Sequence, residues 1–275
     1  MISEYKKQAE PFLKWAGGKR WLVPYLNNFF PKNYGRYIEP FLGGGAVYFS
    51  TRSRAATLGD VNGELVTTYQ AIRTNHGKVW RYLREHARNH SEAYYYAVRD
   101  NQPKSVFTIA ARFLYLNRTC WNGLYRVNQD GYFNVPKGTK TTVLLPGDEP
   151  ALLAKKLAKV ELVWSDFEML IDSAVEGDLV FADPPYTVKH NFNGFIKYNE
   201  SIFTWDDQVR LMRASRRARR RGAHVIISNA DHPSVHELYS REFQMYRVNR
   251  QSVLAGDANF RALTSELIIH GAPAA

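Results

Sequence analysis

Short apolar runs rich in β-branched and aromatic residues recur along the chain between turn residues, and they read as strands. They are "RYIEP" (36–40), "ATLGD" (56–60), "VELVWSD" (160–166), "DLVFAD" (178–183), "HVIISN" (224–229), "FQMYRV" (243–248) and "TSELIIH" (264–270). Between most of them the apolar spacing becomes that of helices, as at 45–54, 166–175 and 204–221. The last of these predicts Thr204 as a cap, Asp206 and Asp207 in the first turn and Gly222 beyond the end. Strands alternating with helices imply an α/β fold with a mainly parallel sheet. The last two strands lack a clear intervening helix, which predicts an antiparallel hairpin at the sheet edge.

The alternation is interrupted once. From about 65 to 150 the pattern is helical, through "YYYAVRD" and "IAARFLYLNR", and then loop-like through "NGLYRVNQDGYFNVPKGTK". This predicts a helical subdomain with a hairpin, inserted between the second and third strands. The domain division expected is 1–64 with 160–275 as one unit and 65–159 as the insertion.

Charge sharpens that division. The 275-residue chain carries a net charge of +11. Residues 65–160 hold 15 Lys/Arg against 6 Asp/Glu, a net of +9, so the positive charge is concentrated in the insertion. Such a segment suits a nucleic acid, because neutralising phosphates releases counterions. The six arginines from Arg213 to Arg221 are read differently, as a solvated helix face complementing the helix dipole. Cys120 is the one cysteine, which rules out an internal disulfide and a multi-thiolate zinc site. With no apolar leader and no membrane-length run, the expected location is cytoplasmic, with no membrane partner.

Three stretches carry chemistry. "YIEPFLGGGAVYF" (37–49) is a strand, a glycine turn and a helix start, where ligands approach free backbone N–H groups. Asp60 ends the next strand, placed to accept hydrogen bonds from ribose hydroxyls, which suggests an adenosine-containing ligand. The same glycines would also serve a plain tight turn. "FLKWAGGKRWL" (12–22) is either a turn before a helix or a lid in which Trp15 and Lys19 cover that ligand. "DPPY" (183–186) ends an apolar strand in a rigid turn. Asp183 and the Pro184 carbonyl could accept the two N–H bonds of an exocyclic amine, with Tyr186 stacked on its ring. Preorganised acceptors of this kind favour positive charge developing on the nitrogen as it attacks a methyl group.

Taken in chain order, "FLKWAGGK", "EPFLGGGAVYF", "GDVN" (59–62), "FLYLNRTCWNGLYRVNQDGYFNVPKG" (113–138), "DPPY" and "HVIISN" resemble the blocks of Dam-type DNA adenine-N6 methyltransferases. The resemblance implies a Rossmann-like methyltransferase sheet with an inserted DNA-recognition subdomain. It implies S-adenosyl-L-methionine as cofactor, double-stranded DNA as partner, GATC as target and no metal. By analogy Trp15, Lys19, Phe41, Gly43, Gly45, Asp60 and Asp183 bind the cofactor. Asp183, Pro184 and Tyr186 then hold an adenine flipped from the duplex, an extrusion that costs a few kcal/mol. Trp121 fills the gap it leaves and Asn122 contacts the orphaned thymine. Leu124 meets a thymine methyl, Arg126 a guanine, Pro136 a base edge and Arg118 a phosphate. The stretch 252–266 carries a single arginine, Arg261, where relatives have a more basic loop.

Three alternatives stay open at this point. A protein glutamine methyltransferase would have Asn in place of Asp183. A DNA-binding regulator could retain the fold without catalysis. The "DPPY" turn by itself also suits N4 of cytosine.

Overall fold

The computed structural model describes residues 8–53, 55–128, 131–189, 203–251 and 263–274. They form two compact units that cut the chain at points other than 64 and 160. The first comprises Met1–Pro24, Gly43–Arg54 and Asp60–Trp164; the second comprises Tyr25–Leu42, Ala55–Gly59 and Ser165–Ala275. A short helix, α1 (Val23–Leu26), precedes β1 (Tyr37–Glu39).

The first unit is mainly helical. It holds α2 (Ala46–Ser50), α3 (Gly63–Asn89), α4 (Glu92–Asp100), α5 (Val106–Thr119), α6 (Pro150–Leu157) and a closing strand, β3 (Val160–Trp164). Asn62 caps α3 by accepting the Leu65 N–H, and Glu64 in the first turn complements the dipole. A kink at Asn75 lets the long helix bend along α5. Leu65, Tyr69, Ile72, Val79 and Leu83 of α3 are buried, as is every residue of α5 from Ala110 to Thr119. The α5 charges are satisfied there. Arg112, for instance, pairs with Glu64 at 3.1 Å and donates to the carbonyls of Val98 and Arg99.

The second unit carries six of the seven strands, in the order β2-β1-β4-β5-β7-β6. β2 (Ala56–Asp60), β4 (Leu179–Ala182) and β5 (His224–Ala230) run parallel with β1. β7 (Leu263–Gly271) is antiparallel to β5, and β6 (Gln244–Gln251) pairs with β7 at the edge. The expected edge hairpin is present. Every residue of β4 is buried, as a continuous apolar run in a parallel sheet requires. The strand order reverses between β1 and β4, and ligands of such sheets bind beyond the carboxyl ends at that reversal. Asp183 follows β4 there.

Among the described residues, the unit also holds the helices α7 (Phe167–Asp172), α8 (Trp205–Arg220) and α9 (Pro233–Tyr239). Ser165 and Asp166 leave the third strand because Asp166 caps α7, accepting the Glu168 N–H. Thr204 and Asp207 form a reciprocal capping box at the start of α8. Several arginines of α8 are paired rather than merely solvated. Arg210 binds Asp166, Glu168 and Asp207 at 2.8–2.9 Å, and Arg217 binds Glu168 and Asp172 at 2.7 Å. The arginine-poor stretch 252–262 lies outside the described residues.

The Arg217 bonds hold the Glu168 and Asp172 carboxyls below the usual carboxylate range. Carboxyls depressed in the folded state contribute stability above their unfolded values of about 4, and that contribution is lost as pH falls through the folded values. Arg217→Met should therefore melt below the wild type at neutral pH, with the gap closing below about pH 4. Thermal melts across that range measure it; a gap that persists in acid would mean lost packing rather than lost ion pairs.

Candidate active site and recognition hairpin

The first unit builds a cradle around Asp60. Its Oδ2 accepts the Gly43 N–H and its Oδ1 the Asn62 N–H, each at 3.0 Å. Burial pushes this carboxyl up from its ordinary range, while the N–H groups of Gly43, Asn62 and Val61 pull it back. Gly43 and Gly45 have φ of 46° and 66°, and a Cβ on Gly43 would lie 2.6 Å from Trp15 Cδ1. One on Gly45 would meet Phe49 and Tyr69 at 3.0 Å. The turn is therefore glycine for both conformation and space.

Trp15 is fixed above the turn by its neighbour. The Asn117 side chain accepts the Lys14 N–H at 3.0 Å and donates to the Lys14 carbonyl at 2.8 Å, acting as a second peptide. The Trp15 ring then stacks on Tyr125 at 5.7 Å and Phe113 at 6.4 Å. Lys19 is buried, and its ammonium donates to the Gly17 carbonyl at 3.0 Å.

In the second unit, Asp183 and Tyr186 leave β4 and are each held by a side chain from another strand. Ser228 donates its hydroxyl to Asp183 Oδ1 at 2.5 Å. Tyr186 donates its hydroxyl to Glu266 Oε2 at 2.6 Å. Burial, then the charges of Asp183 and Glu266, hold the Tyr186 phenol well above its ordinary value, so it remains a donor. Pro184 is buried between them in sequence. Phe41 stacks on Phe167 at 5.2 Å and meets Phe203 edge-on at 5.6 Å.

The hairpin follows α5. Trp121 donates its N–H to the Pro136 carbonyl and Gly138 donates to Thr119, while Asn128 and Asn134 bond back to Tyr132 and Arg126. Asn122 turns the chain with φ 54° and is exposed, and Trp121 is 53% exposed. Leu124 and Arg126 are half-buried, Pro136 is exposed, and Arg126 Nε donates to Asn134 at 2.9 Å. Lys14, whose stem runs against Gly123, faces Lys140. Burial and then Lys140 lower its ammonium to about 8. Cys120 is a buried filler, its thiol pushed up to about 11 by burial.

Arg118 requires a correction. Its side chain is buried, with a two-pronged ion pair to Asp148 at 2.7 Å and a bond to the Val143 carbonyl. A guanidinium so engaged is structural, holding the chain beyond the hairpin to α5, and it is not offered to a phosphate.

A family model for the D12 class N6 adenine-specific DNA methyltransferases matches residues 15–254. The chain belongs to that family. It is 30% identical over 98% of its length to the Type II methyltransferase M1.LlaDCHI of Lactococcus lactis, a match covering 98% of that protein. The DNA adenine methylase of Escherichia coli K12 is 30% identical, with 95% of each chain covered. The Type II methyltransferase M.MjaIII of Methanocaldococcus jannaschii is 34% identical over 81% of this chain and 85% of its own.

The enzyme is accordingly a DNA adenine-N6 methyltransferase, acting on DNA with a methyl donor. Its residues fit a nucleoside-bearing donor: Asp60 is an acceptor suited to sugar hydroxyls, beside a turn where no Cβ is tolerated. Among the described residues, no helix is long and apolar enough to cross a membrane, and no group of three His, Cys, Asp or Glu could hold a metal. Sequence reasoning missed Asn117, Ser228 and Glu266. The available signal was a polar residue within or at the end of an apolar run, in "FLYLNR", "HVIISN" and "TSELIIH".

Gly43→Ala should cost about 1–3 kcal/mol in stability, through strain at positive φ and overlap with Trp15. It should also weaken donor binding by about tenfold or more. Gly147→Ala, where a Cβ meets nothing within 4 Å, serves as the neutral control. Calorimetric titration with the donor's product analogue separates binding from folding.

Proposed function

We propose that the enzyme transfers a methyl group from S-adenosyl-L-methionine to N6 of an adenine flipped out of double-stranded DNA, within GATC. The observation that carries this reading is the DPPY turn, whose carboxylate is anchored from the adjacent β5 and whose ring is anchored from β7 beyond it. Asp183 and the Pro184 carbonyl accept the two N–H bonds of the target amine, and Tyr186 stacks on its ring. Holding both N–H bonds draws the nitrogen lone pair out of conjugation and toward the methyl. The fixed Asp183 charge favours the cation that develops there, with no rearrangement during reaction. The donor supplies an electrophilic methyl group, and we assign Trp15, Lys19, Phe41, Gly43, Gly45, Asp60 and Asp183 to binding it.

For recognition, an exposed Trp121 in the braced turn that follows α5 suits insertion where the adenine has left the stack. Asn122 beside it faces the orphaned thymine. Leu124, Arg126 and Pro136 read base edges, and the facing ammoniums of Lys14 and Lys140 suit a DNA anion. An arginine–guanine pair of the Arg126 kind contributes about 1–3 kcal/mol of discrimination.

Tritiated S-adenosyl-L-methionine and two duplexes differing only in GATC against GTTC test the reading. Label should appear as N6-methyladenine on the first duplex alone; equal label on both would end the GATC assignment. Asp183→Ala should abolish transfer while retaining duplex binding, and normal turnover by that variant would refute the assigned site. Arg126→Ala should keep methylation but reduce the preference for GATC over AATC, a duplex in which the guanine itself is replaced, by about 10- to 100-fold, measured as a ratio of kcat/KM values on those two duplexes.

A further inference from the structure

We propose that Glu266 is the positioning residue of the DPPY tyrosine, fixing the long axis of the ring on which the target base rests. This inference builds on the function proposed above. Glu266 is 9% exposed and is followed along β7 by Leu267, Ile268 and Ile269, all buried. A carboxylate in such a run is costly unless hydrogen-bonded, and apolar neighbours offer no reason for it to be there. The reason is its partner. The Tyr186 hydroxyl donates to it at 2.6 Å, the length of a charge-assisted bond.

The consequence for the ring is geometric. Pro184 and Pro185 fix the backbone leading to Tyr186, and the hydroxyl bond fixes the far end of its side chain. A ring held at both ends cannot swing away, so the line of its axis is set before any base arrives. The register gives the two anchors a common origin. Glu266 lies opposite Ala230 on β5, and Ser228 stands two residues from Ala230 on the same strand. Alternation along a strand puts Ser228 and Ala230 on one face, and the cross-strand partner of Ala230 shares it. One face of the β5–β7 pair therefore orients both members of the reacting turn, with Ser228 on Asp183 and Glu266 on Tyr186. Glu266 acts through Tyr186 and is not itself a catalytic residue.

The test is a double-mutant cycle read in single turnovers on a GATC duplex with saturating S-adenosyl-L-methionine. Glu266→Ala should slow methyl transfer by about 10- to 100-fold while leaving KM for the donor nearly unchanged. Glu266→Gln keeps an acceptor oxygen and should recover to within about fivefold of wild type. On a Tyr186→Phe background, where the hydroxyl is already gone, Glu266→Ala should add no more than about twofold. Glu266→Leu, apolar in an apolar strand, carries the same cycle if the alanine variant does not fold. Wild-type rates in Glu266→Ala, or a full additional loss on the Tyr186→Phe background, would overturn the inference while the methylation reading stood. Absence of N6-methyladenine with the wild type on any duplex would instead overturn both.

Discussion

Two hydrogen bonds to one carboxylate organise the first unit. Asp60 accepts the N–H groups of Gly43 and Asn62, so the turn after β1, the end of β2 and the cap of α3 share a single acceptor. Burial of the group penalises its charge, and the backbone donors offset part of that penalty. Once Gly43 is pinned, its left-handed backbone and the space above it admit the Trp15 ring and exclude any side chain. Tyr69 then closes the turn from α3 by donating to the Gly43 carbonyl at 3.1 Å. A side chain at Gly43 or a neutral apolar group at Asp60 would disturb all of these contacts together.

Charge in this chain shows how far composition reaches. The concentration of Lys and Arg in residues 65–160 identifies a nucleic-acid class of partner, and the family agrees. It does not identify which cations are offered. Arg112 and Arg118 are buried in ion pairs with Glu64 and Asp148, and Arg210 and Arg217 of the other unit bind four carboxylates between them. Arginine's planar fork makes it the preferred cation for such internal pairs as well as for phosphate, so sequence alone cannot separate the two uses. Burial separates them. The same "NRTCWNG" stretch holds an internal Arg118 and an exposed Trp121 only three residues apart.

Strand positions were legible because burial on both faces leaves short apolar runs between turn residues, and the caps of α3 and α8 because their chemistry is local. The DPPY turn was legible because prolines end a strand wherever they fall. The partners of that turn were not. Ser228 is 45 residues from Asp183 and Glu266 is 80 residues from Tyr186, and no local pattern encodes such pairings. The same holds for Asn117 and Lys14, 103 residues apart. Compact-unit boundaries were illegible for a related reason. The segments around Trp15 and Gly43 pack with the helices that follow Asp60, which follows from contacts distant in sequence rather than from composition.

The hairpin after α5 combines a rigid frame with an uncovered aromatic at its base. Tyr95, fully buried in α4, donates to the Val135 carbonyl at 2.9 Å, and Trp121 donates its own N–H to the carbonyl of the next residue, Pro136. Arg118 fixes the chain beyond, through Val143 and Asp148. The Tyr95 and Arg118 bonds are buried and protected from water, so the two arms have few alternative positions. A large aromatic left half in solvent on such a frame gains nothing for folding. Its exposure is consistent with a partner that covers it. If that partner is the gap in a DNA stack, the frame has already removed most of the conformational freedom that insertion would otherwise have to freeze, and the binding free energy of the indole is retained for extruding the base.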